Sequence, residues 1–598
     1  MLQPSDSPGQ ALPARSGPAV PLPARAWHER LSSRPEASVE QLVLVASLFW
    51  ALAANGPFFA AALRGQAPGD GATWRFALAL ALAVLALHGL LLGLACNRWT
   101  VKPLLGLLAL ATAAASFYMG AFGIYLDPTM LRNLLRTHPA EAGELITPAL
   151  ALHMAVYAGL PLALLWRVRV VQRPWRRAAL VRLGLLLGAA AVLLGAVLAQ
   201  FQPLASLMRN HREVRYLITP ANYLWSLGSV LAADARGAAR PRQPIGLDAK
   251  PGPSWATRSR PMLVVLVVGE TARAANWGLN AGVAGLAPRD TTPQLARLRD
   301  DAGLVNFSQV SACGTNTETS LPCMFAPVGR RDYDEDRIRG QQSLLHVLDR
   351  AGVQVQWSDN QSGCKGVCDG LASDTVAPDK APGLCPDGRC LDEGLLHELD
   401  RRIALAQSQA QSQAQSQPGT QLLVLHMIGS HGPSYFRRYP PAFARFQPAC
   451  QEDDLRRCSI EQVRNAYDNS LLYTDHVLAA AIAKLRARQG QVDSALIYVS
   501  DHGESLGEHG LFLHGVPHAI APEVQTRVPM VAWTSSGLDR ARASPAGCSQ
   551  AALQRQAARP IAHDHLFHTL MGLLDVRSTL YEPALDLLRD CGAGEARP

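Results

Sequence analysis

Five long apolar stretches in the first third of the chain constrain its fold more than any other feature: residues 42–63, 76–95, 104–126, 146–166 and 183–201. Each is roughly the 20 residues that a helix needs to cross the hydrocarbon core of a bilayer, and far longer than a core strand. The loop between the fourth and fifth carries Arg167, Arg169, Arg173, Arg176 and Arg177, and the loop between the second and third carries Arg98 and Lys102. Cationic loops stay on the cytoplasmic side. The N-terminal tail, with Arg15, Arg25, Arg30 and Arg34, then lies inside as well, and five spans put everything after residue 201 outside the cytoplasm. A helical bundle buried in a soluble protein would not need cationic loops on alternate sides.

The charge distribution agrees. Residues 1–200 hold 16 Lys+Arg against 8 Asp+Glu, which accounts for the whole net charge of +8. A nucleic-acid footprint would gather basic side chains on one folded face; here they sit in short loops between apolar runs, so nucleic acid is excluded as a partner. Residues 1–38 are rich in Pro, Ala and Ser and lack the short apolar core of a signal peptide. They read as a disordered cytoplasmic tail, followed by a membrane domain at 39–203, a helical connector and linker at 204–260, and an exported domain at 261–598.

Ten of the eleven cysteines lie in that last part. An even count in an exported domain suits disulfides. Close spacings suggest Cys313–Cys323, Cys364–Cys368, Cys385–Cys390 and Cys450–Cys458, leaving Cys548 with Cys591. The alternative is a structural zinc site from Cys364, Cys368, Cys385 and Cys390, although the C-x2-C spacing of zinc knuckles is missing. Cys96, at the cytoplasmic end of the second span, is the odd one.

From residue 261 onward, short β-branched runs (262–268, 353–357, 422–427, 495–500 and 529–533) alternate with helical stretches, which predicts an α/β domain with a mostly parallel sheet covered by helices. The AQSQAQSQAQSQ run at 406–417 lengthens a surface connection and carries no chemistry. Open α/β sheets build their sites at the carboxyl ends of strands. Glu270, His431 and the pair Asp501-His502 each follow a predicted strand, and DHGESLGEHGLFLHG adds His509 and His514. Taken singly, these residues would cap turns or face solvent; carboxylate and imidazole recurring at three strand ends instead form a zinc-type donor set. SACGTNTETSLPCMF supplies hydroxyls at Thr315, Thr317, Thr319 and Ser320. A threonine attacks at neutral pH only if its proton is drawn off, which a metal ion can do.

Four segments in order, GETARAANWG at 269–278, CGTNTETSLPCMF at 313–325, GSHGPSYFRRYP at 429–440 and SDHGESLGE at 500–508 followed by LHG, resemble the membrane-anchored phosphoethanolamine transferases of Gram-negative bacteria. That group includes lipid A modifying and mobile colistin-resistance enzymes. The resemblance implies an alkaline-phosphatase/sulfatase-like α/β domain behind a five-helix membrane domain, in the inner membrane with the catalytic part in the periplasm. It also implies one or two Zn²⁺, a phosphatidylethanolamine donor, and lipid A or a related glycan as acceptor. By the same resemblance, Glu270, Thr317, Asp501 and His502 are the zinc shell, with Thr317 the nucleophile. His431 and His514 hold a second zinc or the substrate phosphate, and Lys365 and Glu504 are accessory polar groups near that phosphate. Asn133, Thr137 and Glu141 match positions that bind the ethanolamine head group, and their i, i+4, i+8 spacing would put them on one helix face.

The alternatives are a hydrolase or a glycerophosphate transferase of the same superfamily. A sulfatase nucleophile needs C/S-x-P-x-R, and neither Cys313-Gly-Thr nor Cys323-Met-Phe fits. A non-catalytic membrane sensor would have lost ligands, and none is missing.

Overall fold

The computed structural model describes residues 34–137, 139–238, 241–411 and 419–591. Most of the tail, the second half of the QSQA run and the side chain of Cys591 lie outside them. Among the described residues, four helices are long and apolar enough to cross a membrane: Gly71–Ala95, Val101–Phe122, Pro148–Arg167 and Trp175–Ala199. The expected first span is broken instead. Val39–Ala53 and Gly56–Ala62 meet at 55° and make a fifth span only if counted together. The cause is local: Pro57 at the start of the second piece has no N–H to continue the first helix, and Asn55 fills the gap. Its Nδ2 donates to the carbonyls of Trp50 and Thr219, each at 2.8 Å, and its Oδ1 accepts from the Thr219 N–H at 2.9 Å. The last span starts eight residues earlier than the apolar run, because Arg176, Arg177 and Arg182 are good helix formers and extend it as its charged end.

The last residues before the first span are ordered rather than tail-like. Glu36–Ala37 pairs in parallel with Arg169–Val170, and Ser38 forms a capping box with Gln41. The first half of the QSQA run likewise ends the helix Leu396–Gln411.

After the connector helix Ala221–Ala238, the chain enters an eight-stranded sheet. Its strands in chain order are β1 (Met262–Gly269), β2 (Val305–Ser311), β3 (Gln354–Asp359), β4 (Ser373–Thr375), β5 (Thr420–His426), β6 (Asp493–Ser500), β7 (Arg527–Thr534) and β8 (Ile561–Ala562). Their spatial order is β8-β2-β7-β6-β1-β5-β3-β4. All pairs are parallel except those of β7, which runs antiparallel to β2 and β6. The sequence misses β2 because its half-buried alternation lacks a continuous apolar run, and β4 and β8 because they are edge strands of two or three residues.

Strand β1 sits at the centre, every residue buried. Its period of two splits it between two cores. Met262, Val264, Leu266 and Val268 pack with Leu344, Leu348, Phe567 and Leu570 on one face; Leu263, Val265 and Val267 pack with Leu399, Ile403, Leu471 and Leu478 on the other. Each such side chain contributes roughly 1.5–3 kcal/mol by leaving water, which fixes the register of the strand ends. The pairs Cys313–Cys323, Cys364–Cys368, Cys385–Cys390 and Cys450–Cys458 are disulfide-bonded, which removes the four-cysteine zinc alternative. Cys548 is disulfide-bonded too; the side chain of Cys591, its expected partner, is outside the described part.

Replacing Asn55 by Ala removes three buried hydrogen bonds worth about 1 kcal/mol each. Asn55→Ala is therefore expected to lower stability by about 3 kcal/mol, seen as an earlier thermal transition in detergent; an unchanged transition would show that the bend is set by Pro57 alone.

Candidate active site and metal centre

The parallel register of β1, β5 and β6 brings their carboxyl ends level, with Gly269 opposite Ser500 and Val268 opposite His426. Glu270 and Asp501, each one residue past its strand, are therefore neighbours. Both are fully buried, as is His502. Gly429 lets the following loop pass Glu270: a Cβ there would lie 2.6 Å from the Glu270 carbonyl oxygen. Asp392 fixes that loop by accepting from the Ile428 and Gly429 N–H groups at 2.8 and 2.9 Å. Next to Glu270, Thr271 has φ of +55°, a left-handed conformation costly for a β-branched residue. It is held there by Tyr467, whose hydroxyl donates to the Thr271 carbonyl at 2.7 Å.

Thr317 opens the helix Thr317–Met324, inside the loop closed by Cys313–Cys323. Asn316 caps the helix, accepting from the Thr319 N–H at 2.9 Å, and Ser320 Oγ donates to the Asp501 carbonyl. Thr317 Oγ1 then lies 3.1 Å from Glu270 Oε2 and 3.4 Å from His502 Nε2. His502 Nε2 is also 3.3 Å from Glu270 Oε1 and 3.4 Å from Asp501 Oδ2. Its other nitrogen, Nδ1, donates to the Gly503 carbonyl at 2.9 Å. That bond fixes the ring so that Nε2 points at the carboxylates, the usual orientation of a metal-binding histidine.

His431 and His514 stand beside this group, their rings 5.4 Å apart, with His514 4.4 Å from the ring of His502. Glu504 orients His514 Nδ1 at 3.4 Å. Donor atoms of Glu270, Asp501 and His502 lie within 4.8 Å of one another, and so do those of Glu270, His431 and His514. Glu270 Oε1 and Asp501 Oδ2 are buried without a hydrogen-bond partner.

The electrostatics favour a cation at this point. Burial and the charge of Glu270 push the Asp501 carboxyl up. Burial would lower His502, but the charge of Asp501 and the hydrogen bond and charge of Glu270 hold it well above the usual imidazole range. Burial would raise Glu270, yet the hydrogen bond and charge of His502 keep it well below the carboxylate range. Two buried carboxylates thus draw positive charge to one spot, which a proton on His502 or a metal ion can supply. Two carboxylates, imidazole nitrogen and a hydroxyl form a donor set that fits zinc.

A cavity of about 520 Å³ opens from Thr317 toward the membrane helices. Its polar end carries Thr317, Lys365, His431, His514 and Glu141; its far wall includes Ala115, Tyr118, Phe122 and Leu131. Asn133 and Thr137 line it too, but not from one helix face. The helix Pro128–Leu135 ends before Thr137, and Glu141 lies on a separate helix, Pro139–Glu144. Proline at 139 interrupts the ladder, and Thr137 Oγ1 donates back to the Asn133 carbonyl at 2.8 Å. The break turns all three residues toward the same space.

Several lining and supporting residues carried no sequence signal. Gln361 and Ser362 line the cavity, and Asp359 Oδ2 holds their loop by accepting from the Gln361 and Gly363 N–H groups at 3.1 and 2.9 Å. Its Oδ1 is 2.7 Å from His426 Nδ1. Arg438 donates to the His431 carbonyl and to Glu144, each at 2.7 Å, and so ties the His431 loop to the helix Pro139–Glu144. His509, near the ligands in sequence, lines a different cavity.

Residues 84–235 match the family described as phosphoethanolamine transferase EptA/EptB, and residues 262–576 match the sulfatase family. Phosphoethanolamine transferase EptA of Escherichia coli K12 is 35% identical over 570 residues, covering 94% of this chain and 99% of its own length. The chain belongs to the phosphoethanolamine transferase family. Phosphatidylethanolamine transferase Mcr-1 of Escherichia coli is 36% identical over 563 residues, covering 92% of this chain and 96% of its own. Among solved structures, the integral membrane protein lipooligosaccharide phosphoethanolamine transferase A from Neisseria meningitidis superposes with a TM-score of 0.85 at 36% identity, covering 93% of this chain and all of that one. This phosphoethanolamine transferase therefore pairs a helical membrane domain with a sulfatase-like α/β domain, as the sequence motifs imply.

Glu270→Gln preserves the shape of the shared donor and removes its charge. Its zinc affinity, followed by metal content after dialysis against graded free zinc, is expected to fall more than 10-fold, since loss of even an outer partner costs 10–100-fold; undiminished binding would remove Glu270 from the metal shell.

Proposed function

We propose that this transferase moves phosphoethanolamine from phosphatidylethanolamine to lipid A or a related glycolipid, with Thr317 carrying the group between them. The observation that carries the reading is the cavity itself: a threonine hydroxyl among buried carboxylates and imidazoles at one end, and apolar membrane-helix side chains at the other. A two-tailed phospholipid matches that polarity, with its phosphate at Thr317 and its chains toward the bilayer.

Glu270, Asp501, His502 and Thr317 would hold one zinc ion, with Glu270, His431 and His514 offering a second position. Bound there, zinc supplies Lewis acidity that lowers the pKa of the Thr317 hydroxyl. Thr317 Oγ1 gives up its proton toward Glu270 Oε2, the acceptor 3.1 Å away, and attacks phosphorus. The Oγ1–P bond forms, the bond from phosphorus to the diacylglycerol oxygen breaks, and that oxygen takes a proton as it leaves. Lys365 and the first N–H groups of the Thr317 helix face the phosphate and offset its charge. A hydroxyl or phosphate oxygen of the acceptor then displaces Thr317, so the reaction is ping-pong.

Glu141 faces the head-group end. Burial and the charge of Glu270 raise its carboxyl to about 7, against the opposing charges of Arg438 and Lys365. The donor's ammonium would hold it ionised and bind to it. Two of the relatives carry names that fit this reading, one naming phosphatidylethanolamine and one naming lipooligosaccharide. The cationic loops and the disulfides support placement in a bacterial inner membrane with the catalytic domain in the periplasm.

Mass spectrometry of lipid A and core oligosaccharide is expected to show added phosphoethanolamine in cells expressing the wild type and none with Thr317→Ala. The variant should lose at least about 10⁴ in turnover, the scale of removing a nucleophile; persistence of the modified lipid would exclude Thr317 as carrier. Glu141→Gln is expected to raise KM for the donor about 10-fold with a smaller change in kcat; the reverse pattern would place Glu141 in chemistry rather than head-group binding.

A further inference from the structure

Outside the cavity, one cluster of charge joins the two halves of the chain. Arg132 and Arg136 stand i, i+4 on the helix Pro128–Leu135 and its C-cap, and between them Asn133 and Leu134 line the cavity. Arg136 Nη1 donates to Glu318 Oε1, while its Nη2 donates to both carboxylate oxygens of Asp234 at 3.1 Å. Arg132 pairs with Glu335 and lies 3.6 Å from Asp234, which belongs to the connector helix. Arg339 closes the circuit. Its Nη1 donates to Glu318 Oε1 at 3.0 Å, its Nη2 to the Glu318 carbonyl at 2.6 Å and its Nε to Glu335 Oε1 at 3.0 Å. Three arginines thus balance three carboxylates.

Glu318 is the centre of this network and the residue next to Thr317. Its side chain is 1% exposed, so its charge is tolerated only because two guanidiniums face it. None of the six charged residues is among those lining the cavity, so they touch neither donor nor reacting atoms. Their placement is what matters. The helix Thr317–Met324 is only eight residues long and is held from two sides: Ser320 bonds the carbonyl of the ligand Asp501, and Glu318 reaches the opposite way to the helix that forms the donor wall. Thr317 sits on the same turn as both grips.

We propose that Glu318 is a positioning residue: through Arg136 and Arg339 it sets the donor wall of the cavity in register with the Thr317 hydroxyl. The inference rests on the assignment of Thr317 as nucleophile. A buried ion-pair network adds little net stability compared with apolar packing, but an error of about 1 Å between nucleophile and phosphorus costs about 10²-fold in rate. The effect of losing it should therefore fall on transfer from a lipid that uses the wall, and not on a substrate that does not.

The test uses the zinc-loaded full-length chain in mixed micelles. Glu318→Gln, Arg136→Ala and the double variant are compared with the wild type and with Thr317→Ala on two substrates: long-chain phosphatidylethanolamine, and the soluble diester bis(p-nitrophenyl) phosphate, which has neither acyl chains nor an amine head group. Glu318→Gln and Arg136→Ala are each expected to lower kcat for the lipid about 10–100-fold, and the double variant to be no worse than the poorer single one, because neighbours in one network are not additive. The kcat/KM for the soluble diester should stay within about 3-fold of wild type, measured below the melting transition of each variant. Losses that multiply in the double variant, equal losses on both substrates, or full activity on the lipid would overturn the positioning role. Retention of either activity by Thr317→Ala would overturn the nucleophile assignment instead, so the two failures are distinct.

Discussion

Two carboxylates buried side by side are the constraint on which the site depends. Glu270 and Asp501 are neighbours because β1 and β6 are parallel and in register to their last residues, and neither is exposed. Buried anions of like charge are tolerable only beside concentrated positive charge. The three histidines, the fixed tautomer of His502 and the unpartnered oxygens of Glu270 and Asp501 all follow from that need. Thr317 shares that setting: its hydroxyl lies 3.1 Å from Glu270 Oε2, so a cation satisfying the carboxylates would lie beside it.

Placing that centre depends on the two cores. The alternating side chains of β1 lock it between helices on both faces, so its tip is rigid where Glu270 begins. The looser surroundings are held by single polar side chains: Asp392 under the Gly429 turn, Asp359 under Gln361 and Ser362, and Arg438 between His431 and Glu144. All three are buried; Asp392 and Arg438 join segments far apart in sequence, and Asp359 does so through His426.

The sequence carries what depends on periodicity and local chemistry. The long apolar runs, the five core strands and the polar residues just beyond them were readable because a span, a buried strand and a polar residue at a strand end each have a compact signature. The other features depend on distant partners. The bend at Asn55 is completed by Thr219, the half-buried β2 gains its identity only between β7 and β8, and Glu318 looks like an ordinary first-turn acid until Arg136 and Arg339 reach it. Four disulfide pairings followed from short spacing, since close cysteines leave few geometric choices.

The interruption at Pro139 has a consequence for recognition. On a straight helix, Asn133 and Glu141 would stand about 12 Å apart along the axis, eight residues at 1.5 Å each, and could grip only something elongated. Divided between the two helices Pro128–Leu135 and Pro139–Glu144, the same stretch need not keep that spacing. The side chains of Asn133, Thr137 and Glu141 then border one cavity, and a compact ligand could meet them at once, which a straight helix would not allow.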